Sequence, residues 1–163
     1  MLRRRAIAVA LAWLACAGTL SLHAQLRAPR AELTPVVETA PVRAGRPATI
    51  ALKVKLPGEI HVQSDKPRDP ALFPTALLLT PPAGVTVTRI TYPPAKDFVQ
   101  EGQPEPLAVF ERSFTVTATL AIAPSVKPGD LVIPGRFDYQ ACDDKLCYRP
   151  VKTDVSWTLS VVP

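Results

Sequence analysis

Histidine is scarce in this sequence: the 163 residues hold two, His23 and His61. A metal centre wants three or four convergent ligands, and two thiolates with one distant imidazole would leave it incomplete, so a zinc or copper carrier is disfavoured. No uninterrupted run of about 20 apolar residues occurs, which is the length a membrane-spanning helix needs. Past the first few residues, lysine and arginine form no cluster that could follow a phosphate backbone, and nucleic-acid binding loses its main support. No internal repeat is present.

What the chain does have begins with Arg3, Arg4 and Arg5, an apolar stretch from Ala6 to Leu22, and Ala24 ahead of Gln25. A basic start, an apolar segment and a small residue at the cleavage position are the layout of a secretory signal peptide. Residues 1–24 are expected to be removed after Ala24, with Gly18, Thr19 and Ser21 counting against an uncleaved anchor. Removing them from 163 leaves 139 residues, enough for one domain with a single core. Loss of the three arginines takes the formal charge from +5 to about +2. Cys16 leaves too, so Cys142 and Cys147 remain, in a periplasmic compartment where disulfides form and persist.

Nineteen prolines, scattered from Pro29 to Pro163, nearly exclude long helices, since each interior proline costs about 3 kcal/mol there. Apolar residues alternate instead. Ile50, Leu52, Val54 and Leu56 face away from Lys53 and Lys55, and the rhythm returns at Phe114 to Ile122 and at Val155 to Val161. Further strands are expected at 59–64, 75–80, 85–92 and 131–141. Turn signals separate them at Pro57-Gly58, Pro82-Ala83-Gly84 and Pro128-Gly129. Seven or eight short strands predict an all-β, immunoglobulin-like sandwich over residues 46–163. Residues 25–45 are expected to form a loosely ordered lead-in with one edge strand near Val36 and Val37. A long irregular stretch from Pro93 to Pro106, holding Lys96, Asp97 and Phe98, suggests a loop with a task.

Four residues separate Cys142 from Cys147, few enough for a hairpin or loop to bring them within bonding range. A bridge closing so small a loop removes unfolded-state entropy worth roughly 2 kcal/mol, against about 4 to 5 for a loop of a hundred residues. Stabilisation alone therefore explains the pair poorly, and thiol-disulfide exchange stands beside the structural clip as a reading. Exchange needs a thiolate. Asp143 and Asp144 should disfavour it by repulsion, whereas Lys145 and Arg149 should favour it. His61 reads as a strand residue facing solvent or the cysteine loop.

Tyr139-Gln140-Ala141-Cys142, followed by Cys147-Tyr148 and Pro150, resembles the active-site loop of the N-terminal domain of the bacterial thiol:disulfide interchange protein DsbD. The likeness extends through Ile60 to Pro67, Phe73-Pro74-Thr75, Gly84-Val85 and Ile90 to Pro94, and covers roughly residues 45–160. It implies a component of protein-disulfide reductase type that takes electrons from a membrane-embedded DsbD/CcdA-type carrier. These would pass to periplasmic thioredoxin-like proteins, on a route that serves cytochrome c biogenesis, with no cofactor beyond the dithiol and no metal. In that family the second cysteine forms the mixed disulfide, so the resemblance implies that Cys147 attacks and Cys142 resolves. It also implies an aromatic cap over the cysteines, for which Phe98 is the candidate; Tyr139, Asp143, Asp144, Lys145 and Tyr148 are the candidates for tuning the loop.

The sequence departs from the family's pattern in having one residue fewer between the cysteines and a thinner acidic-aromatic cluster at Asp97-Phe98-Val99. The chain is expected to act as a monomer that does not itself span the membrane, and either it works with separately encoded transmembrane and thioredoxin-like partners or the domain has been put to another use. The alternative is a non-catalytic immunoglobulin-like module for binding or folding assistance, with a structural disulfide.

Overall fold

A computed structural model describes residues 27–100 and 104–163. The expected signal peptide, residues 1–24, lies outside the described residues. Twelve strands and no helix occur among them. In chain order they open with β1 (Glu32–Val37), β2 (Val42–Arg43), β3 (Pro47–Lys55) and β4 (His61–Gln63). Next come β5 (Ala76–Leu79), β6 (Val85–Thr91), β7 (Lys96–Phe98) and β8 (Leu107–Glu111). The last four are β9 (Ser113–Ile122), β10 (Gly129–Tyr139), β11 (Ala141–Cys142) and β12 (Val151–Val162).

Two four-stranded sheets, in the orders β1-β3-β9-β6 and β2-β12-β10-β5, enclose the core of an immunoglobulin-like β-sandwich. Its strands obey the alternation of their sequences. On β9, Val116, Ala118, Leu120 and Ile122 are buried while the intervening threonines are only half-buried. On β12, Val151, Trp157, Leu159 and Val161 point inward, and Lys152, Asp154, Ser156 and Thr158 point outward. Burying each large apolar side chain is worth about 1.5–3 kcal/mol relative to exposure, which fixes register because a one-residue slip would turn the whole set outward. Trp157 crosses between the sheets, and its indole N–H donates to the Ala51 carbonyl at 2.8 Å. Two of the turns fall where predicted, with Gly58 at φ 52° and Gly84 at φ 85°, conformations that cost glycine little, whereas the third lies at Pro124-Ser125, ahead of the expected Pro128-Gly129, because Gly129 already begins β10.

The lead-in differs from its expectation. The edge strand expected near Val36 and Val37 is there as β1, but it is firmly held: all six of its residues pair with β3, from Glu32 opposite Lys55 to Val37 opposite Ile50. Beyond them, Val42 is buried on β2, which runs parallel to the end of β12. Alanine- and proline-rich composition masked these strands because short edge strands tolerate proline on the unpaired side.

A third, smaller sheet in the order β11-β4-β8-β7 carries the cysteines. It grows out of the other two. After β10 the chain passes Gln140 and continues as β11, and β8 leads into β9 through Arg112, which stands at φ 55° and accepts a hydrogen bond from the Leu56 amide. The stretch from Pro93 to Pro106 is not wholly irregular, because β7 pairs with β8, Phe98 opposite Leu107 and Lys96 opposite Val109.

Candidate functional site

Cys142 and Cys147 are bonded to each other, with their Cα atoms 4.0 Å apart. They face one another across a narrow hairpin in which the Asp143 amide donates to the Leu146 carbonyl and the Tyr148 amide to the Ala141 carbonyl. Asp143 makes the turn. One of its carboxylate oxygens accepts from the amides of Lys145 and Leu146, both at 2.8 Å, taking the place a backbone carbonyl would fill. The other accepts from the Tyr148 hydroxyl at 2.9 Å, while the Gln140 side chain donates to the Tyr148 carbonyl. The two backbone donors and the tyrosine hold the Asp143 carboxyl below the usual carboxylate range, and the same contact raises the Tyr148 phenol above its ordinary value.

The two sulfurs sit in unlike surroundings. Cys142, on β11, is 0 % exposed, whereas Cys147 lies on the exposed side of the hairpin. Leu146 beside it is 40 % exposed, and Asp144 and Lys145 at the tip are exposed as well.

Within the small sheet, Cys142 pairs directly with His61, and His61 with Glu111 on the far side. Directly opposite residues of antiparallel strands point to one face, so Cys142, His61 and Glu111 share a face that Val62, Phe110 and Ala141 leave for the core. His61 is 1 % exposed and Gln63, two residues along the same strand, 0 %. Both ring nitrogens of His61 and both amide atoms of Gln63 lack a hydrogen-bond partner among the described residues. Each such orphan costs about 1–3 kcal/mol, and buried orphans in a folded protein call for an explanation. Burial also pushes the His61 imidazole below its ordinary value, against the opposing influence of Glu111 and Asp143.

Phe98 covers this face. Its ring lies 4.1 Å, centroid to centroid, from that of His61. The short strand that carries it is anchored by Arg68, whose guanidinium donates to the Asp97 carboxylate and to the Pro106 carbonyl. On the other edge, Lys96 pairs with Glu111 at 3.4 Å. Phe98, Glu111, Arg112, Asp143 and Asp144, with Gly58, Glu59 and Ile60, line a cleft of about 430 Å³ beside the cysteine hairpin.

The residues singled out in the sequence thus meet in one place, with one correction. Tyr139 turns away from the hairpin. It is 1 % exposed in the main core, packs on Phe137 at 5.5 Å, and its hydroxyl accepts from the Ala31 amide at 2.8 Å. As the last residue of β10 it faces inward, and one position later the chain has already left for the small sheet. Gln63, Arg68 and Glu111 escaped the sequence reading. Gln63 was legible, since Val62 in the core sends His61 and Gln63 together to the other face. Glu111 was hidden because Leu107 to Phe110 is a continuous apolar run, without the alternation that marks a half-buried strand. Among the described residues no group of three or more histidine, cysteine, aspartate or glutamate side chains is placed to hold a metal ion.

The fold has distant likenesses among solved structures. AggA, the major subunit of aggregative adherence fimbriae type I from Escherichia coli, is 14 % identical, with 83 % of this chain and 97 % of that one covered and a TM-score of 0.42. The GAE domain of GGA2p from Saccharomyces cerevisiae is 11 % identical, covering 83 % and 92 % at a TM-score of 0.43. ACE19, the collagen-binding subdomain of the Enterococcus faecalis surface protein ACE, is 11 % identical, covering 78 % and 95 % at 0.38. No curated protein matches the sequence. A family model does, across residues 30–158, a span that includes both cysteines, His61 and Phe98. The chain belongs to the family described as thiol:disulfide interchange protein DsbD, N-terminal.

Proposed function

We propose that this domain is a periplasmic electron relay working through the Cys142–Cys147 dithiol. In the reduced state Cys147 attacks a disulfide of a thioredoxin-like partner, and Cys142 resolves the mixed disulfide. The oxidised pair is then reduced again by a membrane-embedded carrier of the DsbD or CcdA type, a route that serves cytochrome c biogenesis. The relay needs no cofactor beyond the dithiol, acts as a monomer, and reaches the periplasm by its signal peptide. Phe98 shields the Cys142 side of the pair between partners.

The observation that carries this reading is the asymmetry of the bonded pair: Cys142 is 0 % exposed and Cys147 is exposed. Thiol-disulfide exchange proceeds by attack at one particular sulfur through a mixed disulfide. A partner can reach Cys147, while Cys142 waits behind it at bonding distance. A clip serving stability alone has no use for one accessible sulfur.

A redox titration against thiol buffers tests the proposal. A relay is expected to equilibrate at a midpoint above about −300 mV, and a pair that stays oxidised below that value behaves as a structural bridge and overturns it. Trapping gives the second check. Cys142→Ala should leave Cys147 in mixed disulfides with periplasmic proteins, recoverable by mass spectrometry, and the absence of adducts from either single variant would count against the relay.

A further inference from the structure

We infer that His61 accepts the proton of Cys142 when that thiol resolves the mixed disulfide, and gives it up to the departing partner's sulfur or to water. The inference rests on the exchange reading above and assigns a group to the step that reading leaves without one.

Cys142 is sealed from water, so its thiol needs a nearby acceptor to become the thiolate that attacks. His61 stands directly opposite on the neighbouring strand and on the same face, where Cβ atoms lie about 4.5–5.5 Å apart. A neutral imidazole offers one nitrogen lone pair and one N–H. Neither nitrogen of His61 has a partner among the described residues, so the lone pair is not committed to a structural bond. Phe98 covers the ring and keeps bulk water from competing for it.

The charged groups around the imidazole suit a proton held briefly. Glu111 faces it from β8 and Asp143 stands beside Cys142 at the head of the hairpin, both favouring the imidazolium. Lys96 on β7 offsets Glu111 through their ion pair, and Arg112, Asp144 and Glu59 line the cleft beyond. Burial opposes the charge more strongly, which leaves the ring neutral and ready to accept.

In the mixed disulfide, Cys147 Sγ is bonded to the partner's sulfur and Cys142 is a thiol. The Cys142 proton passes to the free nitrogen of His61. Cys142 Sγ then bonds to Cys147 Sγ, and the bond between Cys147 and the partner breaks with its electron pair on the partner's sulfur. The partner's sulfur is reduced to a thiolate and takes a proton from the imidazolium or from water, while Cys142 is oxidised. No further oxidant is required.

The test uses the reduced full domain and oxidised glutathione, with acid quench and mass spectrometry to separate formation of the glutathione adduct from its resolution. In His61→Phe and His61→Gln, adduct formation is expected to stay within about twofold of wild type, and resolution to slow about tenfold or more. The wild-type resolution rate should also show a titration below that of the thiol, absent from both variants. Resolution at wild-type rate and with wild-type pH dependence in either folded variant overturns the assignment. So does a wild-type profile that shows the thiol titration alone, a check that needs no variant to fold. A wild-type domain that forms no adduct at all fails the exchange reading itself, a separate outcome.

Discussion

Phe98 lies against His61 with the ring planes inclined by 33°. One side chain comes from a short strand at the sheet's edge and the other from the strand that pairs with Cys142. The apolar ring closes over an imidazole that has no hydrogen-bond partner among the described residues, so keeping His61 uncharged and keeping Phe98 seated are linked.

That linkage predicts a pH dependence of stability. Burial lowers the folded-state value of His61 below its ordinary 6.5, so as pH falls past that value the unfolded chain takes up a proton that the folded one refuses. Stability contributed at neutral pH is lost progressively below about 6.5, down to the folded-state value. Urea midpoints measured from about pH 7.5 to about pH 5 should therefore decline for wild type and stay nearly level for His61→Phe. Asp143 does not confuse the window. Its carboxyl is shifted down from 3.8, so its stabilising contacts are present above that value and fail only below it.

Arg68 should control access to the site. Its ion pair with Asp97 is largely exposed, with side chains 43 % and 66 % accessible, and such pairs contribute at most about 1 kcal/mol. Arg68→Ala is expected to leave the urea midpoint almost unchanged while the disulfide becomes several-fold faster to reduce with dithiothreitol. Arg68→Lys keeps the charge and loses the two-pronged contact, so its rate should fall between. Equal reduction rates in all three proteins would show that this anchor does not hold Phe98 in place.

Trp157 separates packing from hydrogen bonding in the core. Trp157→Ala should cost about 3–5 kcal/mol in equilibrium unfolding. Trp157→Phe keeps most of the volume but removes the donor to the Ala51 carbonyl, so a loss of about 1 kcal/mol is expected from that hydrogen bond. A phenylalanine variant as stable as wild type would mean that water or backbone adjustment replaces the indole N–H.

The sandwich was legible wherever strands are half-buried. Lys53 and Lys55 between Leu52, Val54 and Leu56 announce β3, and the threonines of β9 do the same. It was illegible where burial is two-sided or pairing is short. β8 reads Leu107-Ala108-Val109-Phe110 because its faces meet the core on one side and the site on the other. β2 is two residues long and owes its place to Val42 fitting beside Val161. The cysteine pair was plain from spacing and composition, but the burial difference between its sulfurs was not. That difference arises because Cys142 ends a strand continuous with the core and Cys147 begins the way out.

Two sheets supply most of the hydrophobic core, and the third, built of four strands of two to five residues, carries the cysteine pair. Opening the cysteine hairpin therefore removes little of what keeps the domain folded. Amide hydrogen exchange should record this division: on reduction, protection should fall at Asp143, Tyr148 and the β7 edge, while the amides between β3 and β9 keep the slow exchange of the global unfolding reaction. A domain built this way can open and close its disulfide as a local event, with the scaffold unchanged.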